Sequence, residues 1–213
     1  MRRVFALVVL LSCLQGVTSA AAHPHVFVDA QAGFEFDTDG RLVSLRITWT
    51  YDAFTTLTLF DILDLDIDGD GQLNAADHAA IVAGETDWAP DYPGDTYLEM
   101  QDQGIALTRP VDSVAWMENE QISVAFDLPL QTPLEIKDEA VLRLYDPTYY
   151  YAYTIIGQSD VSHAGCSADT VPFVADAASA KLQDQLAKLS REEMPEQENV
   201  GRLFSDEVWL RCS

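Results

Sequence analysis

Hydrophobic and polar residues alternate along "HVFVDAQAGFEF" (25–36) and "RLVSLRITWTY" (41–51), so both segments read as strands with one face turned to a core. Between them, "DTDG" (37–40) is a turn-forming cluster that makes the pair a hairpin. Further strands are predicted at "TYLEMQDQ", "GIALTR", "SVAWMENEQISVAFDLP", "EAVLRLYD" and "YYAYTI", and "FSDEVWLRC" closes the chain.

The period lengthens in three places. "DAFTTLTLFDILDL" (52–65) sets Phe54, Leu57, Phe60 and Leu63 at three- and four-residue spacing, which predicts a helix. "AADHAAIVAG" predicts a second helix stopping at Gly84. "DAASAKLQDQLAKLS" predicts a third, with Leu182, Leu186 and Leu189 on one face, followed by the exposed connection "REEMPEQEN". The expected architecture is α+β: one antiparallel, β-rich domain over residues 23–213, interrupted by a helix-loop-helix insertion at 52–84 and carrying a C-terminal helix.

The first 22 residues belong to a different pattern. Arg2 and Arg3, an apolar run from Val4 to Leu14 and small residues up to Ala22 have the anatomy of a secretory signal peptide. Cleavage after Ala20, Ala21 or Ala22 satisfies the small-residue rule, and lipidation at Cys13 is an alternative that would tether the protein. The run is too short to span a bilayer, and the sequence predicts no membrane span, an exported chain and a periplasmic location.

Past residue 22, ten basic residues face 35 acidic ones. Such a surface repels nucleic acid and anionic lipid and attracts cations. Cys166 and Cys212 are the cysteines left there, and an even count in an oxidising compartment predicts a disulfide, with metal ligation by the two thiolates as the alternative.

Between the first two helices, "DLDIDGDGQLNAADH" spaces its oxygens as an EF-hand-like loop does. Asp66, Asp68 and Asp70 fall at positions 1, 3 and 5, Gly71 at the sharp turn, Gln72 at the backbone-carbonyl position, Asn74 at 9 and Asp77 at 12. Calcium, or magnesium, is the cation such hard ligands suit. Leu73 is expected to anchor the loop, and His78 to lie on the helix surface. Asp77 stands where a bidentate Glu is usual and is one methylene shorter, so weak binding is expected.

Softer ligands gather at the other candidate site. His23-Pro24-His25 lies at or within two residues of the predicted mature end, where an amine and imidazoles can hold nickel, cobalt, copper or zinc. Asp29, Asp146 and His163 are the residues that folding could add. Two exposed histidines on a loose lead-in are the bland alternative. The tyrosines of "YDPTYYYAYT" read as packed core residues rather than as a recognition surface. The chain holds no HExxH and no GxSxG, and no enzymatic activity is expected.

"HPHVFVDA", "ITWTYDAF", "DLDIDGDGQL", "LRLYDPTYYYAYTI", "AGCS" and "GRLFSDEVWLRC" together resemble a bacterial family of unknown function, often labelled the periplasmic component of an uncharacterised ABC-type transport system. The resemblance implies a partner among inner-membrane nickel/cobalt-type permeases. Its His-Pro-His element falls on His23 to His25, its acidic loop on Asp66, Asp68 and Asp70, and its "YDPTYY" element on Tyr145 to Tyr150. The function this implies is a metal-binding accessory or solute-binding protein for nickel, cobalt or zinc transport. A calcium-stabilised exported interaction module is the alternative.

Overall fold

The computed structural model describes residues 23–90, 92–190 and 192–213; the predicted signal peptide, with Cys13, lies outside them. Strands β1 (Val26–Phe36) and β2 (Leu42–Tyr51) form the predicted hairpin, with Asp37 Oδ1 accepting the amides of Asp39 and Arg41 across the turn. Helices α1 (Ala53–Ile62) and α2 (Ala75–Thr86) follow, then β3 (Thr96–Met100), β4 (Gln103–Ile105), β5 (Val111–Glu118), β6 (Gln121–Leu134) and β7 (Glu139–Leu144). The chain continues through β8 (Tyr151–Ile155), β9 (Asp160–Val161), β10 (Cys166–Val171) and α3 (Ala177–Leu186), and ends with a 3-10 helix (Val200–Phe204) and β11 (Glu207–Cys212).

The class is α+β, as predicted, and the strands form two sheets that are mostly antiparallel. The first runs β5-β6-β2-β1-β8, with β9 also on β1; the second runs β10-β11-β7-β3-β4. Both β8 and β9 lie parallel to β1, in a sheet whose other pairings are antiparallel. The cause is the connection after β7, which leaves the second sheet and enters the first beside the chain's own beginning. Such a pairing joins residues more than a hundred positions apart and leaves no mark on local alternation.

One cluster of buried side chains draws on both sheets: Phe34, Ile47 and Phe126 from the first meet Leu98, Leu142 and Leu210 from the second. Alternation sets this up, since Val26, Val28, Ala30, Ala32 and Phe34 of β1 point inward while Phe27, Asp29 and Gln31 point out. A smaller cluster joins Leu182, Leu186 and Leu189 of the α3 region to Tyr149, Phe173, Val200 and Phe204, as the leucine periodicity predicts.

Of the spaced apolar residues in and just after α1, Phe60 and Leu63 pack partly against the core. Thr55, Thr56 and Leu59 face the sheet, and Phe54 and Leu57 face solvent. Apolar residues occupy both sides of this helix, so spacing alone does not choose a face. Asp52 chooses it: its carboxylate caps α1 through the amides of Phe54 and Thr55 and also accepts the Phe27 amide of β1, which fixes how the helix leaves the sheet. Gly84 does not end α2, which continues to Thr86. A Cβ there would stand 3.1 Å from Leu63 Cδ2, so the glycine allows close packing.

Cys166 and Cys212 are joined by a disulfide, directly opposite each other in the β10–β11 register. The bond ties the chain's last strand to the segment after β9. No helix among the described residues is long and apolar enough to cross a membrane.

Gly201 of the 3-10 helix packs against the turn after β7: a Cβ at this position would stand 2.0 Å from the backbone oxygen of Asp146. Backbone on both sides leaves no side chain to give way. Gly201→Ala is expected to destabilise the fold by roughly 1–3 kcal/mol, read as a lower denaturation midpoint in urea.

Candidate functional site

The turn after β7 organises the corner where the N-terminal histidines lie. Asp146 accepts hydrogen bonds from the Thr148 amide (3.1 Å) and hydroxyl (2.7 Å) and from the amides of Tyr150 (2.7 Å) and Tyr151 (3.3 Å). An Asp-Pro pair favours such a turn because the carboxylate mimics a backbone acceptor while proline restricts the chain. The turn delivers the Tyr150 carbonyl to the start of β1, where it accepts the amides of His25 (2.9 Å) and Val26 (3.1 Å). The segment is therefore held against the first sheet and is not the loose lead-in of the bland alternative.

The two imidazoles meet there. Their ring centroids are 4.7 Å apart in an edge-on arrangement, and the His25 and Tyr150 rings lie 4.8 Å apart. His23 is 4% exposed, and its Nδ1 is buried with no hydrogen-bond partner among the described residues. Burial lowers the His23 pKa below the ordinary histidine value, against the upward pull of the Asp146 carboxylate, which favours the neutral imidazole.

Behind this corner sits a carboxyl group that pattern reading passes over. Asp95 is 2% exposed, and its Oδ2 accepts a hydrogen bond from the Tyr153 hydroxyl at 2.8 Å. Burial raises its pKa to about 7; the hydroxyls of Tyr153 and Tyr92 pull it down and the charge of Asp146 pushes it up. Gly94 makes the approach possible, because the Trp88 ring lies where a Cβ would stand, 2.2 Å away. In the sequence, "PGDT" carries only a turn signal.

The remaining candidate residues are placed as follows. Asp29 points outward from β1 four residues beyond His25, about 13 Å along the strand. His163 is exposed and stacks on Phe36, at the opposite end of β1. Neither is brought to the imidazoles. Asp146 is near enough to act on His23 electrostatically, but four donors already occupy its oxygens.

In the acidic loop, Asp66, Asp68 and Asp70 each present an oxygen within 4.8 Å of the others, the only such group of three His, Cys, Asp or Glu ligands among the described residues. Asp66 accepts the amides of Asp70 and Gly71 (both 3.0 Å), and Asp70 accepts that of Gln72 (2.8 Å), which closes the loop on itself. Gly71, at φ +78°, makes the sharp turn, and Leu73 packs on the core. The charge of Asp70 raises the pKa of Asp68.

Asn74 and Asp77 have a different task. They form a reciprocal cap at the start of α2: Asn74 Oδ1 accepts the Ala76 and Asp77 amides, and Asp77 accepts the Asn74 amide at 2.8 Å. Asp77 also accepts the Asp66 amide, so its carboxylate is buried in the frame of the loop, apart from the three clustered carboxylates. Helix α1 ends at Ile62, before the loop's first carboxylate, whereas an EF-hand's entering helix leads directly into its loop.

Residues 8–212 match the family described as "Protein of unknown function (DUF1007)", and the chain belongs to that family. It is also similar to an uncharacterised protein of Haemophilus influenzae (strain ATCC 51907 / DSM 11121 / KW20 / Rd). The two are 24% identical over 195 residues, covering 90% of this chain and 91% of the relative. Neither description names an activity.

The raised pKa of Asp95 has a definite sign. The fold favours the protonated carboxyl, so this group costs nothing below the unfolded value near 3.8 and costs most above about 7. Asp95→Asn keeps an acceptor for Tyr153 and removes the charge. At pH 8 the variant is expected to be more stable by on the order of a few kcal/mol, with the advantage vanishing near pH 4, as followed by thermal unfolding across that range.

Proposed function

We propose that this member of the DUF1007 family is an exported, periplasmic metal-binding accessory or solute-binding protein for transition-metal transport. Its cargo is nickel, cobalt or zinc, its partner an inner-membrane permease, and it catalyses no reaction. The observation that carries this reading is His23, a nearly enclosed imidazole whose Nδ1 has no hydrogen-bond partner among the described residues. A buried polar atom left unpaired is costly, and a metal ion is a ligand that an imidazole lone pair suits. Its neighbours supply what an ion needs: a second imidazole in contact and the negative charge of Asp146. Copper would satisfy the same ligands.

Two imidazoles leave coordination positions for water or for a group on the receiving protein. An open shell suits a carrier, because an ion must leave as readily as it arrives. Coordination requires the neutral ring, and His23 is neutral to lower pH than a free histidine. Affinity is therefore expected to fall as acid protonates the imidazoles, with the lowered pKa of His23 moving its own share of that loss to lower pH. Calorimetric titration with nickel, cobalt, copper and zinc should show binding tighter than millimolar that the His23→Ala, His25→Ala double variant loses. Equal binding by parent and variant removes the basis for the transport reading.

The acidic loop supports a second, structural ion of calcium type. Asp66, Asp68 and Asp70 repel one another at close range, and a hard divalent cation relieves that repulsion with ligands it prefers. The Gln72 carbonyl and water would complete its shell, while Asn74 and Asp77 keep α2 in place. Calcium at a hundred times its dissociation constant would add about 2.7 kcal/mol of stability. The melting temperature in calcium should exceed that in chelator, and Asp66→Ala with Asp70→Ala should abolish the difference.

A second reading takes the protein as a calcium-stabilised exported interaction module without transition-metal function. What favours it is that the acidic loop, unlike the histidine corner, gathers three ligand groups closely. Calcium stabilisation without nickel, cobalt, copper or zinc binding is the outcome that selects it.

A further inference from the structure

Helix α1 carries apolar side chains that the fold does not use. Phe54, Leu57 and Ile62, with Ile67 beyond the helix and Phe27 on β1, are 55–85% exposed. Phe27 belongs to the same surface, because its amide donates to Asp52 Oδ2 and its carbonyl accepts the Asp52 amide, at 3.1 Å each. Beside them a groove of about 290 Å³ runs between α1 and the tyrosine corner, with Phe54, Thr58 and Ile62 on one wall and Val26 and Tyr151 on the other. The helix is held firmly from below: Thr55 bonds the Asp52 cap, and the Thr56 hydroxyl accepts the Ile122 amide at 3.1 Å. This is a rigid apolar face rather than a frayed end.

Charge says what would cover it. From Ile47 to Thr108 there is no lysine or arginine, while thirteen residues are Asp or Glu. Asp61, Asp64, Asp68 and Asp70, all exposed, lie within or just beyond α1. The face is thus apolar, and the charged side chains within and just beyond α1 are all negative. A second copy of the chain would bring the same carboxylates against it, and anionic lipid would be repelled. Apolar anchors flanked by positive charges fit both features at once.

We propose that the exposed face of α1, with Phe27 and the adjoining groove, docks a protein segment that sets apolar side chains between lysines or arginines. His25 also lines the groove, but the inference rests on the apolar and acidic side chains of α1, so loss of transition-metal binding would leave it standing.

The test uses a fluorescent amphipathic peptide of leucine and lysine, followed by anisotropy with the full chain. A leucine–glutamate peptide of the same pattern is the control. Leu57→Ser with Ile62→Ser should weaken binding by at least about tenfold, and Asp61→Asn with Asp64→Asn should weaken it in a salt-dependent way. Val174→Ser, at an exposed apolar residue elsewhere, should leave it unchanged. These side chains are exposed, and matched unfolding midpoints establish that the variants fold. The proposal is overturned if the lysine peptide does not bind, if the glutamate peptide binds as well, or if the α1 substitutions change nothing. Sedimentation as a dimer that Leu57→Ser dissolves would assign the face to a second copy. Flotation with neutral phosphatidylcholine vesicles that depends on Leu57 would assign it to lipid. Either result also overturns the proposal.

Discussion

The Asp146 carboxylate, gathering four hydrogen bonds from the three-residue neighbourhood of Thr148, Tyr150 and Tyr151, is the constraint on which this architecture turns. It lies where the chain passes from the second sheet to the first, between the end of β7 and the start of β8. Because the turn has one shape, the Tyr150 carbonyl meets the beginning of β1, β8 aligns parallel to β1, and the 3-10 helix closes over the turn through Gly201. Two distant parts of the sequence and both sheets converge on one side chain. The histidine corner is a product of that convergence.

Local chemistry made much of this legible beforehand. The β1–β2 hairpin follows from alternation and "DTDG", α3 from its leucines, and the acidic loop from ligand spacing and Gly71. Tyr145, Tyr149 and Tyr153 are buried as their setting in an apolar strand region suggests, while Tyr150 and Tyr151 line the corner instead. What stayed hidden depends on contacts far apart in sequence. The parallel pairing of β8 and β9 with β1 has no local signature, and the buried face of α1 is decided by Asp52 bonding back to Phe27. Asp95 reads as a turn residue until Trp88, Tyr92 and Tyr153 surround it. The ligand spacing of the loop likewise could not reveal that Asn74 and Asp77 are held by capping.

Acidic residues do more here than keep the chain in solution. Asp37 closes a hairpin, Asp52 and Asp176 start helices, Asp77 frames a loop, and Asp206 accepts the amides of Ile155 and Phe173 to join β8 to the segment leading into α3. Short side chains with two acceptor oxygens serve wherever a strand or helix ends, because each such end leaves amides unpaired. Part of a composition that looks like bulk charge is joinery.

The strand order also bears on how this protein behaves among its neighbours. A sheet edge is a row of unpaired amides and carbonyls that invites another chain to add a strand. Here the outer strands are poor templates: β4 has three residues, β8 has five, and β5 is broken by an irregularity where Asp112 takes a φ of +50°. The remaining edge, β10, is six residues long, carries Asp169 and is covalently tied to its partner strand at Cys166. Crowded chains of this kind have little means of zipping together backbone to backbone, so any association they make must be read through side chains, where it can be selective.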